Sequence, residues 1–300
     1  MQNRASQLTT TDDCAHGDAA AVAASPQAAL NAYFRDEATH WAEMYERDGI
    51  KEAIHQERLR AALAMVDELA LPPQSRVLDA GCGAGYATVA LASRGLAVDA
   101  LDPVEAMVRA TRRRAADSGA QVAAQIGDVH ALPFPDERFA LVVALGVLPW
   151  LPALDKPLNE MARVLRPGGH LIVTVDCLWQ LRHALDPLRT PLVQWLKPRV
   201  HRVLEACGRR PRVRSHMTSL RAMRRALAAQ GFEERRGLAL GFGPFTFFGR
   251  DILPRSIGIK LELRLQSLAN QGAPLLQSTG SQYLVLARKR DAAAPSIAPP

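Results

Sequence analysis

Short apolar runs alternate with helix-length amphipathic stretches through the middle of this chain. Val77-Leu78 opens a strand that ends in Asp79 and runs into a turn with Gly at positions 81, 83 and 85. Gly85 to Ser93 reads as a helix with Val89, Leu91 and Ala92 on its apolar side. Leu96 to Leu101 reads as a second strand with Asp102 at its end, and Glu105 to Ala116 as a helix rich in Arg at positions 112 to 114. Arg138 to Leu145 is a further strand. Glu160 to Arg166 reads as a helix stopped by Pro167-Gly168-Gly169, with the next strand running from His170 to Val175. Ser219 is a fitting N-cap for a helix that ends at Gly231. Phe232–Leu240 and Gln282–Ala287 read as the last two strands.

Flanking and inserted segments are predicted around these elements. Residues 1–27 are Ala-, Thr- and Asp-rich without apolar periodicity, and 291–300 form an Ala/Pro stretch; both are expected to be disordered tails. Residues 28–70 are expected to form N-terminal lid helices, with Tyr33, Phe34, Trp41 and Tyr45 largely on one face and His55, Arg58 and Arg60 on a solvated one. A core covers 71–176. A basic helical cap insertion covers 177–217, where apolar residues are interleaved with arginines and broken by Pro187, Pro191 and Pro198. The rest of the core, 218–290, contains a second insertion, 241–281, made of an aromatic loop (Gly241 to Phe248) and a basic helix.

Charge is uneven along the chain. Residues 1–176 hold 16 Lys+Arg against 23 Asp+Glu, net −7, whereas residues 177–290 hold 21 against 6, net +15. The basic half starts right after the strand ending near Val175, which suits an anionic small substrate, an anionic membrane surface met peripherally through residues 177–216, or nucleic acid. Nucleic acid is disfavoured, because no added binding module is visible and stacking aromatics are few outside 242–248. The four cysteines, at 14, 82, 177 and 207, are far apart and form no C-x-x-C, so neither a zinc site nor a disulfide framework is expected. Residues 1–28 lack the pattern of a secretory signal, and the longest apolar run, Leu141 to Leu154, is too short to span a bilayer. A cytoplasmic location is expected; the oligomeric state is left open.

The stretch Arg76-Val77-Leu78-Asp79-Ala80-Gly81-Cys82-Gly83-Ala84-Gly85 carries the chemistry. A turn of this kind lets a ligand press against bare backbone. Nicotinamide sites of the Rossmann type want G-x-G-x-x-G, but here the third glycine position is Tyr86 and the phase is G-x-G-x-G. The stretch resembles motif I of the class I S-adenosylmethionine-dependent methyltransferases. Three more regions agree in order: Leu96 to Pro103, Gln125-Ile126-Gly127-Asp128-Val129, and Arg138 to Leu145 with the Glu160–Val175 segment behind it. The layout is similar to the type 11 group.

The resemblance implies a Rossmann-like α/β sheet of seven strands, order 3-2-1-4-5-7-6, mostly parallel with an antiparallel last strand, helices on both faces and a helical cap. It implies S-adenosyl-L-methionine as cofactor and methyl transfer to O, N or C of a small-molecule or lipid-like acceptor, anionic if the basic cap faces it. Gly81 and Gly83 would pass the methionine end, with Ala80 and Cys82 in the same turn, and Asp79 would fix the turn and the amino group. Asp102 would hold the ribose, with Pro103 and Met107 beside it. Gly127, Asp128 and Val129 would read the adenine, and Leu145 would offer backbone to the methionine amine. Ala140 departs from the family, which has Asp there, and is the one hint of a non-catalytic scaffold. Gly146-Val147-Leu148-Pro149-Trp150 stands where base N-methylating enzymes carry Asn/Asp-Pro-Pro-Tyr/Phe, which argues against exocyclic base N-methylation; a non-catalytic scaffold and an RNA-directed methyltransferase are the alternative readings. No metal and no catalytic base is assigned: His130, His170, His183, His201 and His216 read as ordinary loop or surface histidines, and Cys82 as a packing residue.

Overall fold

A computed structural model describes residues 26–37, 41, 44–45, 49–184, 186, 215–248 and 250–291. The expected tails, apart from 26, 27 and 291, and most of the basic cap (185 and 187–214) lie outside the described residues. The helices are α1 (Pro26–Asp36), α2 (Ile50–Glu68), α3 (Tyr86–Ala92), α4 (Glu105–Asp117), α5 (Asp155–Val164), α6 (Leu220–Ala229) and α7 (Arg255–Asn270). The strands are β1 (Arg76–Ala80), β2 (Ala97–Asp102), β3 (Val122–Ile126), β4 (Phe139–Ala144), β5 (Leu165–Cys177), β6 (Met217–Thr218), β7 (Phe232–Leu240), β8 (Thr246–Phe247), β9 (Arg250–Asp251) and β10 (Gln282–Lys289).

The main sheet runs β3-β2-β1-β4-β5-β10-β7. β1 to β5 are parallel neighbours, and β10 is antiparallel to both β5 and β7. With β7 and β10 as the sixth and seventh core strands, this is the order expected from the sequence. β4 is buried at all six positions, because helices cover both faces of a parallel sheet. On one face Leu158, Met161, Leu227 and Phe232 pack against Leu78, Val142 and Val173. On the other, Ala61, Ala62, Met65 and Val66 of α2 and Leu91 of α3 pack against Val77, Leu141 and Val143.

Two local details differ from the expected elements. The helix before the fifth strand ends at Val164, and Pro167-Gly168-Gly169 lie inside β5 rather than between helix and strand. Leu165 already pairs with Phe139, and the register then shifts before Leu141 meets His170. Ala140 sits at this shift, 3% exposed, so the departure at this position falls in the packed core and outside the cavity. β6 is a two-residue strand on the end of β5 that the pattern did not announce. Among the described residues, no helix is long and apolar enough to cross a membrane.

Candidate active site

The carboxyl ends of β1, β2, β4 and β5 open into one cavity, the crevice where ligands bind in open α/β sheets. The glycine turn forms its floor. Gly81 and Cys82 donate their N–H groups to the Leu101 carbonyl at 2.8 and 2.9 Å, which fixes the turn on the end of β2. Gly85 has φ +85, and a Cβ there would stand 2.8 Å from the Thr111 backbone of α4. Gly83 has φ +52, and a Cβ there would meet nothing within 4 Å, so its backbone faces open cavity.

Two buried carboxylates brace this floor. Thr88 donates from Oγ1 to Asp79 Oδ2 at 2.5 Å. Asp102 accepts from the Gly83 N–H at 3.0 Å through Oδ2 and from the Val104 N–H at 2.9 Å through Oδ1. Burial pushes both carboxyls up to about 6, opposed only in part by these hydrogen bonds. An ionised carboxylate offers about four acceptor positions, so Asp102 keeps capacity for a ligand. Asp99, the weaker acidic candidate of β2, instead meets Arg138 at 3.1 Å and does not line the cavity.

Beyond β3, Asp128 accepts from the His130 N–H at 2.9 Å, and its Oδ1 lies 2.7 Å from His130 Nδ1. Cys82 is buried against Ala100, Val108 and Ala124, its thiol pushed well up by that burial. Of the twelve residues predicted for cofactor binding, ten surround the cavity: Asp79, Gly81, Cys82, Gly83, Asp102, Pro103, Met107, Asp128, Val129 and Leu145. Ala80 and Gly127 do not border it. Ala80 is a fully buried strand residue packed into the core. Gly127 lies behind the rim, donating its N–H to the Asp102 carbonyl at 3.2 Å.

The other half of the cavity is aromatic. Trp150, just past β4, packs edge-on against Phe34 of α1 (centroids 5.1 Å apart) and Trp41 (6.1 Å). Tyr45 lies 4.6 Å from Tyr86, over which the Arg114 guanidinium stacks at 3.6 Å. Gly146 donates its N–H to Thr174 Oγ1 at 2.6 Å, closing the turn after β4. Asp176, half-buried next to the last residue of β5, pairs with Gln282 of β10 across the sheet. Burial pushes the Asp176 carboxyl up, against a hydrogen bond from Ser215.

His55 and Arg58 correct the expectation of a solvated face: both line the cavity, and Arg58 is 6% exposed. Arg58 Nη2 donates to the Tyr45 hydroxyl at 2.8 Å. The signal was present. Ile54, Arg58, Ala61, Ala62, Met65 and Val66 keep helical spacing along one buried face of α2, with an arginine in an apolar slot. Asp176 and Gln282 carried no such signal, since their meeting depends on β5–β10 pairing.

With this geometry established, the matches to known proteins become interpretable. Residues 77–169 match a family model described as "Methyltransferase domain". The core is a methyltransferase domain of the class I, S-adenosylmethionine-dependent type. A malonyl-[acyl-carrier protein] O-methyltransferase of Enterobacter lignolyticus is 36% identical over 129 residues, covering 42% of this chain and 49% of that protein. A demethylmenaquinone methyltransferase of Beutenbergia cavernae is 39% identical over 111 residues, covering 37% and 44% respectively. The chain thus spans about half the length of the curated relatives it matches. Magnesium protoporphyrin IX methyltransferase of Synechocystis, solved with bound S-adenosylhomocysteine, shares the fold with a TM-score of 0.60 at 17% identity, over 88% of this chain and 99% of that one. The methyltransferase domain therefore supplies the glycine floor, and the aromatic half is built largely from segments outside the matched residues.

Proposed function

We propose that this chain transfers a methyl group from S-adenosyl-L-methionine to a small-molecule or lipid-like acceptor. The observation that carries the reading is the joining, in one cavity, of the glycine floor with its buried Asp102 and an aromatic chamber of Phe34, Trp41 and Trp150. The residues fit the cofactor. Asp102 has acceptor capacity for a ribose diol, the Gly83 backbone admits close approach, and Asp128 and Val129 border the cavity where they would meet an adenine edge.

When bound, the cofactor supplies an electrophilic methyl group on a sulfonium. The chain's part is positioning, which drives an in-line displacement of this kind. The glycine turn and Asp102 would fix one reactant, and the aromatic chamber would hold the apolar body of the other and exclude water. The chamber's composition supports an acceptor with apolar surface, and the malonyl-[acyl-carrier protein] O-methyltransferase relatives are consistent with an acyl-type acceptor.

Calorimetric titration with S-adenosylmethionine and S-adenosylhomocysteine, with Asp102→Ala as control, tests the reading. Micromolar binding lost in the variant is expected, followed by turnover in a screen of acyl and quinone-like acceptors. Absence of binding to either ligand would overturn it.

A further inference from the structure

The Arg58 guanidinium is buried in this cavity without a direct ion pair among the described residues; the Asp176 charge acts on it only through space. Arg58 is 6% exposed, and its Nε has no hydrogen-bond partner. Its only hydrogen bond among the described residues is the one to the Tyr45 hydroxyl. No carboxylate among the described residues forms an ion pair with it within 4.0 Å. Asp176, one of the acids of the same cavity, feels the Arg58 charge through space, but its hydrogen bonds go to Ser215 and Gln282, and burial pushes its carboxyl up. Removing an arginine from water is costly unless a partner compensates, and arginine does not escape that cost by losing its proton. The guanidinium lies against Gly146, where a Cβ would come within 2.7 Å of Nη1, so the turn after β4 leaves room for this head. A second unpaired buried atom, Gln282 Oε1, borders the same cavity.

We propose that Arg58 is the anchor for a carboxylate that enters the cavity with a ligand. The planar fork of the guanidinium matches a carboxylate in a paired, two-bond geometry. Nε shares the side edge of the guanidinium with Nη2, which has two hydrogens and gives only one to Tyr45, so that edge keeps two donors. This inference rests on the proposed methyl transfer and deepens it. The carboxylate has two sources: the amino-acid end of the cofactor, which would pass Gly81 and Gly146 close by, or a carboxyl on the methyl acceptor.

The test is calorimetric, on the full chain and on Arg58→Gln and Arg58→Lys. The probes are S-adenosylhomocysteine, 5′-methylthioadenosine, which keeps the nucleoside and thioether but lacks the carboxylate, and malonate added to protein saturated with S-adenosylhomocysteine. If the cofactor is the source, Arg58→Gln weakens S-adenosylhomocysteine by roughly ten- to a hundredfold, as expected for a lost charge-assisted pair. Methylthioadenosine then binds all three proteins alike, which also shows the variant to be folded, and Arg58→Lys recovers part of the loss. If the acceptor is the source, the cofactor series is unchanged and malonate binds the wild-type ternary complex but not Arg58→Gln. A cofactor series that Arg58→Gln leaves unaltered, with malonate either failing to bind the wild-type complex or binding Arg58→Gln equally, overturns the proposal alone. A wild-type protein that binds neither nucleoside overturns the methyltransferase reading, and the proposal with it.

Discussion

The carboxylate of Asp102 accepts the Gly83 backbone N–H at 3.0 Å, tying the end of β2 to the floor of the cavity. One side chain therefore shapes the turn and faces the ligand at once. The two roles separate by substitution. Asp102→Asn keeps a similar volume and one oxygen for Gly83 but turns its NH2 toward the Val104 N–H, so the charged acceptor for the ligand diol is lost at a smaller cost to the turn than in Asp102→Ala. S-adenosylhomocysteine binding is expected to weaken by roughly tenfold or more in Asp102→Asn, and further in Asp102→Ala, where the turn also loses its brace. Equal affinities for wild type and Asp102→Asn in calorimetry would remove Asp102 from the binding role.

The raised carboxyls predict opposite pH trends for stability and for binding. Asp79 and Asp102 titrate near 6 in the fold, against 3.8 for the free side chain. Between those values the folded chain holds more protons than the unfolded one. The contribution of these two groups to stability is thus fully present below the unfolded value and lost as pH rises through 6. Binding that needs the Asp102 anion runs the other way. With a midpoint near 6, affinity for S-adenosylhomocysteine should fall about tenfold for each pH unit below it. Titrations from pH 8 to pH 5 check this, and Asp102→Asn should flatten the profile.

Asp79 gives a cleaner stability test, because its hydroxyl partner can be removed without changing shape. In Thr88→Val the 2.5 Å hydrogen bond disappears inside a fully buried site and leaves the carboxylate short of a donor. The expected cost is about 1–3 kcal/mol where Asp79 is ionised. That cost should shrink below pH 6, where a neutral carboxyl suffers less from the loss. Urea unfolding at pH 8 and pH 5 reads both values; a cost independent of pH would show that Asp79 stays neutral in the fold.

The core of this chain was legible because its signals are local. Each strand end carries its acidic residue or glycine within a few positions, and the strand order then followed from the resemblance to the methyltransferases. The aromatic half was only partly legible. Phe34 and Trp41 stand near one face of the N-terminal segment, but that Trp150 meets them is a tertiary fact. Arg58 was misplaced because charge outweighed period: its spacing from Ile54 and Ala62 puts it on the buried face. Asp176 and Gln282 come together through antiparallel pairing across 106 residues, which no local pattern encodes.

Two glycines of the same turn should fail in different ways when each is given a methyl group. Gly85→Ala forces a left-handed φ of +85 on alanine and drives its Cβ to 2.8 Å from the Thr111 backbone of α4. The left-handed conformation costs about 1–2 kcal/mol, and overpacking adds about 1–3 kcal/mol, so unfolding by urea should move to clearly lower concentration. Gly83→Ala has the same kind of backbone cost at φ +52, but its Cβ meets nothing within 4 Å. Its stability loss should stay near about 1–2 kcal/mol. The added methyl stands in the cavity where a ligand would lie against bare backbone, so S-adenosylhomocysteine affinity should drop more than the stability does. The contrast is the test: a folded Gly83→Ala with wild-type affinity would mean that the ligand does not approach this turn, whatever Gly85→Ala does to the fold.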